Sequence, residues 1–136
     1  MLEWEDIIPL TNEEHIMKTE KNFDFVYPLS YIEVVKKCNG GYPPIDKYDT
    51  DTTKGRTIKA LLSLNTSDIE NVYNAFDNAI TVNKDVVPFA GDDFGNYICF
   101  NKPDGKIVFL DFESEELEGI TDTFDDFIKI IDPTWK

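Results

Sequence analysis

Acidic side chains are the most concentrated chemical groups in this sequence, and two stretches place them where a cation could bind. Asp92 and Asp93 precede Asn96 within one turn. A polar, threonine-rich loop carries three more carboxylates: Asp46, Asp49 and Asp51. Calcium loops alternate their oxygen ligands and finish on a glutamate, a pattern that both stretches lack. We therefore interpret the first as a structural turn and the second as a solvated loop, and we expect no metal or other cofactor.

Groups suited to nucleophilic or metal-assisted catalysis are sparse. The one histidine, His15, lies in an acidic predicted helix without a nearby nucleophile, and no HExxH, CxxC or P-loop motif occurs. Cys38 and Cys99 have apolar neighbours, so we interpret them as buried free thiols, with a disulfide or metal pair as the alternative. A carboxylate pair of the glycosidase kind stays open, because the fold sets its spacing. We predict that the protein is not an enzyme.

The charge balance restricts the class of partner. The 136 residues include 27 acidic and 13 basic side chains, for a net charge of −14. Such a surface repels nucleic acid and anionic lipid, which need cationic contacts, and it attracts basic proteins from a distance. Neither a long apolar span nor a secretory signal is present, so the predicted location is the cytoplasm. The alternative is that the acidity serves solubility alone.

One segment is acidic beyond what a helix start requires. Between positions 111 and 126 there are eight acidic residues and no lysine or arginine: Asp111, Glu113, Glu115, Glu116, Glu118, Asp122, Asp125 and Asp126. A helix N-terminus accounts for the last three. We predict that Glu113, Glu115, Glu116 and Glu118 belong to an exposed partner-binding surface. Its predicted residues are Asp92, Asp93, Glu113, Glu115, Glu116 and Glu118, with Tyr42, Asp46, Tyr48 and Asp49 as a second contact region.

Three strands must position these groups. The apolar run 86–90 predicts a buried strand, in which Pro88 requires an edge position or a break. The turn 91–96 leads to a strand over 97–100, and Asp104-Gly105 predicts a hairpin to a strand over 107–112 that is covered on both faces. Antiparallel pairing would bring residue 113 back near residue 95, so the two acidic stretches are expected to share one end of the sheet.

Helical patterns surround this meander. The spacing predicts four helices. The first covers about 11–22, and the second runs from Pro28 to Asn39-Gly40-Gly41. The third follows a capping box at 67–70, and the fourth follows a cap at Thr121 or Asp122. A further strand is predicted over 57–62, and 113–119 is predicted to be an irregular connection. Helices lead, strands cluster and a helix closes the chain, an order that favours one α+β domain over 1–136.

Several of these stretches together resemble the SUKH superfamily, which includes bacterial toxin-immunity proteins and the fungal cell-wall-synthesis regulator. The similar positions are Glu20 in the first helix, Pro28, Tyr31 and Asn39-Gly40-Gly41 in the second, 87–92 with 95–100 in the centre, and Phe124 and Phe127 in the last helix.

The resemblance implies a central, twisted, mostly antiparallel sheet with helices packed against it. It also implies a binding role, because bacterial members neutralise a cognate polymorphic toxin, often a nuclease. Our hypothesis is a cytoplasmic immunity protein that occludes a basic toxin domain through its acidic surface. The alternative is a general interaction or scaffold module of the same superfamily without a toxin partner.

Overall fold

A computed structural model describes residues 2–136. The helices are α1 (Glu14–Phe23), α2 (Leu29–Cys38), α3 (Val72–Ala79) and α4 (Phe124–Ile131). The strands are β1 (Lys47–Tyr48), β2 (Arg56–Thr57), β3 (Ala60–Leu61), β4 (Val86–Gly91), β5 (Tyr97–Asn101), β6 (Ile107–Leu110) and β7 (Leu117–Thr121). The predicted α+β class is confirmed.

The central sheet has five strands in the order β3-β4-β5-β6-β7, and every neighbouring pair is antiparallel. The predicted meander is therefore confirmed as β4-β5-β6. Of the two expectations for Pro88, the break is the one observed, because β4 is an internal strand whose register shifts between Pro88 and Ala90. A proline lacks the N–H that an unbroken ladder would need.

Aromatic side chains fill the main core between the sheet and two helices. Phe89 and Phe100 on the sheet contact Tyr31 of α2, with the Tyr31 and Phe100 ring centroids 5.2 Å apart and nearly perpendicular. Phe124 and Phe127 of α4 pack edge-on against Phe89 at 5.4 and 5.7 Å. Edge-to-face pairs add about 0.5–1.5 kcal/mol each beyond the area they bury. Ring contacts therefore help to hold both helices against the sheet.

A smaller apolar cluster covers the opposite face of the sheet. Val86, Cys99 and Val108 pack there with Ala79 at the end of α3. All four residues of β6 are buried, which confirms that both faces of this strand are covered, although the strand ends at Leu110 rather than at residue 112 as predicted.

Two helix starts differ from the predicted caps. Asn71 caps α3 by accepting a hydrogen bond from the N–H of Asn74 at 2.9 Å, so the capping box predicted at 67–70 is wrong. Thr123, rather than Thr121 or Asp122, caps α4 and accepts from the N–H of Asp126 at 3.1 Å. In both cases a polar side chain nearer to the helix offers the better geometry.

Two strand predictions also require correction. The connection predicted over 113–119 ends early, because β7 begins at Leu117 and pairs with β6. The single strand predicted over 57–62 forms two short strands, β2 and β3, which belong to different sheets. β2 pairs with β1 in a hairpin that α4 contacts, since the ring of Tyr48 lies 5.8 Å from that of Phe127.

The two tryptophans of the chain bring its first and last described segments together. The rings of Trp4 and Trp135 meet edge-on at 6.5 Å. The indole N–H of Trp4 donates to Asp132 at 2.8 Å, and the backbones of Glu5 and Tyr42 exchange hydrogen bonds of 3.0 and 2.8 Å. The N-terminal segment is thereby placed beside residues 40–42, just after α2.

The glycines at the predicted turns adopt the left-handed backbone conformation that the sequence predicts. Gly40 after α2 has φ 69° and Gly95 in the turn after β4 has φ 85°. We expect Gly95→Val to lower the free energy of unfolding by more than about 1 kcal/mol, because a β-branched residue is strained at this φ. Chemical denaturation measures the change.

Gly91→Ala is the matched control for this variant. Gly91 does not have positive φ, and a Cβ there would meet its nearest atoms only at 3.8–3.9 Å. It should stay within about 0.5 kcal/mol of the wild type. Equal stability of the two variants would show that the conformation of Gly95 does not matter.

Cys38 and Cys99 are buried free cysteines, as predicted. Burial raises the pKa of Cys38 to about 11, with the nearby Asp132 adding to the effect, and burial raises the pKa of Cys99 well above its ordinary value. Because the thiolate is the reactive form, we expect neither thiol to react with a disulfide-exchange reagent at about pH 8 until the protein unfolds. A fast phase in the native protein, followed by absorbance, would contradict this expectation.

Candidate partner-binding surface

The turn 91–96 and the start of the connection after β6 lie at the same end of the sheet. Tyr97 pairs with Leu110 across β5 and β6, and the N–H of Phe112 donates to the side-chain oxygen of Asn96 at 3.0 Å. The prediction that residue 113 lies near residue 95 is therefore confirmed. The sheet joins two acidic stretches that are distant in sequence.

Asp92 organises the turn itself. Its carboxylate accepts hydrogen bonds from the N–H groups of Phe94 and Asn96, both at 2.8 Å, and from the Asn96 amide at 3.0 Å. The interpretation of this stretch as a structural turn is confirmed. Asp93 and Phe94 project outward, and 78% of Phe94 is exposed. An aromatic ring beside carboxylates suits a lysine or arginine side chain, which both groups attract.

The connection from 113 to 116 presents its carboxylates to water. Asp111 accepts from the N–H of Glu113 at 2.9 Å through its side chain, and from that of Glu115 at 2.8 Å through its carbonyl. Glu115 has φ 62°, which turns the chain back toward β7. Glu113, Glu115 and Glu116 are all exposed, as predicted for these three residues.

Glu118 corrects the prediction that it shares this exposure. Its side chain is only 14% exposed and forms an ion pair with Arg56 through contacts of 2.6 and 3.2 Å. The hydroxyl groups of Thr50 and Thr53 donate to the same carboxylate at 2.7 and 3.1 Å. The reason is register: Glu118 pairs with Phe109 in the sheet and therefore faces the β1–β2 hairpin.

The charges at this ion pair stabilise each other. Hydrogen bonding from Arg56, aided by the two threonines, lowers the pKa of Glu118, and the same contact raises the pKa of Arg56. Arg56 also lies 3.7 Å from Asp111, and its guanidinium is 4.3 Å from the ring centroid of Phe109. Glu118 therefore holds the loop after β1 onto the sheet.

Asp51 reinforces the attachment of this loop at the edge of β7. Its N–H donates to the carbonyl of Gly119 at 2.8 Å, and its carboxylate accepts from the N–H of Gly119 at 3.1 Å. Asp49 accepts from the N–H of Gly55 at 2.9 Å, which shapes the same loop. Both carboxylates accept hydrogen bonds from backbone N–H groups of the same protein. The loop is therefore more ordered than its composition suggests.

The second predicted contact region also contains both exposed and buried residues. Tyr48 is 3% exposed and lies under the hairpin, so it is not a surface residue. Burial raises the pKa of its hydroxyl above the ordinary range, and within residues 2–136 that hydroxyl has no hydrogen-bond partner. Tyr42 and Asp46 are exposed, at the rim of a concave surface beside the N-terminal segment.

Two features were not predicted from the sequence. One is the set of residues that bind Glu118, and the other is the exposure of a large apolar side chain. Arg56, Thr50 and Thr53 gave no signal, because their contacts to Glu118 cross more than 60 positions. The capping box predicted at 67–70 places Ile69 in the first turn of a helix, whereas it is 94% exposed in the loop before α3. The available signal was Asn71, a strong cap two positions later.

Within residues 2–136, no three His, Cys, Asp or Glu side chains form a group that could hold a metal ion. Among the described helices, none combines the length and apolar character needed to cross a bilayer.

The fold agrees with the comparisons to known proteins. A family model matches residues 13–128, and the chain therefore belongs to the SUKH superfamily. The matching family is SUKH_6, described as SMI1-KNR4 cell-wall. A crystal structure of a protein from Pseudomonas syringae pv. tomato is similar in fold, with a TM-score of 0.50 and 12% identity over 76% of this chain and 71% of that one. A search of curated proteins found no match.

Proposed function

We propose that this protein is a cytoplasmic immunity protein that binds a basic toxin domain and blocks it by occlusion, without catalysing a reaction. The observation that carries the proposal is the exposed acidic end of the sheet, where Glu113, Glu115 and Glu116 lie beside the turn of Asp93 and Phe94. Membership of a superfamily that includes toxin-immunity proteins supports the same role.

The charge of this surface suits a nuclease-type target. A nuclease domain presents cations where it holds phosphate groups, and carboxylates at the end of a sheet offer those cations a competing anionic surface. Exposed charges mainly accelerate encounter and select partners, whereas buried contacts control the dissociation rate. The exposed glutamates would therefore govern how fast a toxin domain is captured.

The test is protection by co-expression. The probe is the toxin domain encoded by a gene adjacent to this one, expressed from an inducible promoter with or without this protein. We expect growth to be restored, and an inactive form of the toxin domain to co-elute with this protein in size-exclusion chromatography. Continued killing together with separate elution would refute the immunity function.

A second candidate is an interaction module that has no toxin partner. The family description favours it, because SMI1-KNR4 cell-wall names a role other than toxin neutralisation. The two candidates differ in genetic context and in phenotype. A module of this kind would leave toxin sensitivity unchanged when deleted, whereas loss of an immunity protein would make the cell sensitive to the adjacent toxin.

A further inference from the structure

A concave surface centred on Tyr42 lies beside the N-terminal segment. Two depressions of about 490 and 550 Å³ lie on this surface, and Tyr42 lines both. We call this surface the Tyr42 groove. Its apolar lining consists of Leu2, Ile8, Tyr42, Pro43, Pro44, Ile58, Ala60, Leu61 and Ile69.

Large apolar side chains are exposed at this groove. Ile69 is 94% exposed, Ile8 40% and Tyr42 37%. A single exposed apolar residue is ordinary, but several around one depression mark a binding surface. Ile69 also stands in a loop rather than on the apolar face of a helix, so no local packing explains its type.

The walls of the groove are formed before any partner arrives. Buried Asn39 donates to the carbonyl of Ile8 at 2.8 Å and accepts from the N–H of Leu64 at 3.0 Å. Gly40 adopts φ 69°, and a Cβ on it would lie 3.1 Å from the Ile8 side chain. A preformed site avoids the ordering cost that a flexible surface would incur on binding.

Carboxylates dominate the rim of the groove. Seven acidic residues line it: Glu3, Glu5, Asp6, Asp46, Asp68, Glu70 and Asp93. The basic residue among the lining side chains is Lys59, which is already paired with Glu70 at 2.8 Å. Glu3, Glu5, Asp6, Asp46 and Asp93 are exposed, and within residues 2–136 none of them forms an ion pair. Their charge is therefore available to a partner.

We propose that the Tyr42 groove receives a basic segment of a partner protein that inserts an apolar side chain between Ile8, Tyr42 and Ile69. Lysine or arginine residues on either side of the inserted residue then meet the rim carboxylates. A second copy of this chain does not fit, because each copy carries a net charge of −14 and would bring further carboxylates. The proposal deepens the proposed function by assigning the contact that anchors the toxin domain.

The groove and the exposed end of the sheet would act on different rates. Asp93 lines the groove, and Asn96 in the same turn accepts a hydrogen bond from the N–H of Phe112, the residue just before the connection at 113–116. The two surfaces are thus neighbours on the molecule. Glutamates 113, 115 and 116 affect association, whereas apolar burial at Ile69 affects dissociation.

The test uses defined peptides, so it does not depend on the toxin. The ¹⁵N-labelled full chain is titrated with Lys-Arg-Leu-Phe-Lys-Arg, and with two controls in which the central pair becomes Ser-Ser or the basic residues become Glu and Asp. We expect the first peptide to shift the amides of Glu5, Tyr42, Lys59 and Ile69, and to bind at least about 10-fold more tightly than either control.

Matched variants identify the apolar contact. Ile69→Ser should weaken binding of the basic, apolar peptide by at least about 10-fold, as expected for loss of a buried aliphatic side chain. Val26→Ser is the control, because Val26 is 82% exposed and does not line the groove. It should leave the affinity unchanged.

Four results would overturn the inference: no binding by the first peptide, equal binding by either control peptide, unchanged affinity in Ile69→Ser, or shifts confined to residues 113–116. None of these depends on protection against the toxin. A protein that binds the peptide in the groove but fails to protect would retain the docking site and lose the immunity function. If the protein protects against the toxin and Ile69→Ser protects equally well, the immunity function would be retained and the docking site would be refuted.

Discussion

Glu118→Lys is expected to lower the free energy of unfolding by about 2–4 kcal/mol. The substitution removes the acceptor of Arg56, Thr50 and Thr53 and places a second cation beside the guanidinium. Removing one partner from a buried pair costs about 3–5 kcal/mol, and the partial exposure of Arg56 reduces that cost. Urea denaturation followed by circular dichroism measures the change.

Glu116→Lys is the control for this prediction. The two glutamates are two positions apart, but Glu116 is exposed and makes no side-chain ion pair within residues 2–136. Its replacement should change stability by no more than about 0.5 kcal/mol. If both variants were equally stable, the ion pair with Arg56 would not hold the loop after β1.

The pH dependence of stability gives a second readout at Glu118. Its folded-state pKa is lowered, so its stabilising contribution is complete above the unfolded pKa of about 4.3 and disappears as the pH falls through the lower folded value. Glu118→Gln should therefore be less stable than the wild type at neutral pH and approach it below about pH 4. A constant difference across that range would assign the effect to packing.

Replacing Glu113, Glu115 and Glu116 together with lysine should slow association with a basic toxin domain by at least about 10-fold at low salt. The fold should survive, since all three side chains are exposed. The effect should shrink at high salt, where screening shortens the range of the interaction. Stopped-flow or biosensor kinetics measure the association rate, and the dissociation rate should change much less.

The control triple variant replaces exposed carboxylates on other elements. Glu33, Asp77 and Asp85 are exposed, and their change to lysine alters the net charge equally. A similar loss of association rate in both triple variants would attribute steering to net charge alone. An unchanged rate in the first variant would remove the end of the sheet from the binding surface.

The meander was predictable because local patterns and tertiary structure agree there. Consecutive apolar residues at 107–110 require cover on both faces, and Asp104-Gly105 supplies the hairpin turn between β5 and β6. Gly105 has the positive φ of 73° that such a turn uses. Here the sequence period, the turn residues and the sheet all select the same register.

β7 was not predictable, because its residues lack a strand pattern of their own. Leu117-Glu118-Gly119 combines a charge with a glycine, and all five residues of β7 are only half-buried. The strand is held by pairing with β6 and by Asp51, which lies 68 positions away from Gly119. Contacts at that separation leave no local trace in the sequence.

The residues of the candidate surface were predictable only where a polar, irregular segment makes the exposure of its side chains the default. Glutamates 113, 115 and 116 sit in an irregular polar segment, for which exposure is the default. Tyr48 and Glu118 alternate with other residues in strands, so their exposure depends on which face the hairpin covers. The groove around Tyr42 brings together segments near residues 5, 42 and 69, and no sequence pattern joins them.

The contact between Trp4 and Trp135 provides a tryptophan fluorescence signal close to the Tyr42 groove. Both tryptophans of the chain lie in this one contact, so tryptophan emission comes from a single site rather than from the aromatic core. A Cβ on Gly41 would lie 3.3 Å from the Trp4 ring, and Glu5, the next residue along, exchanges backbone hydrogen bonds with Tyr42, so the indole lies close to the groove. Fluorescence should therefore respond to docking near Tyr42 and to release of the N-terminal segment. Secondary structure must be followed separately by circular dichroism.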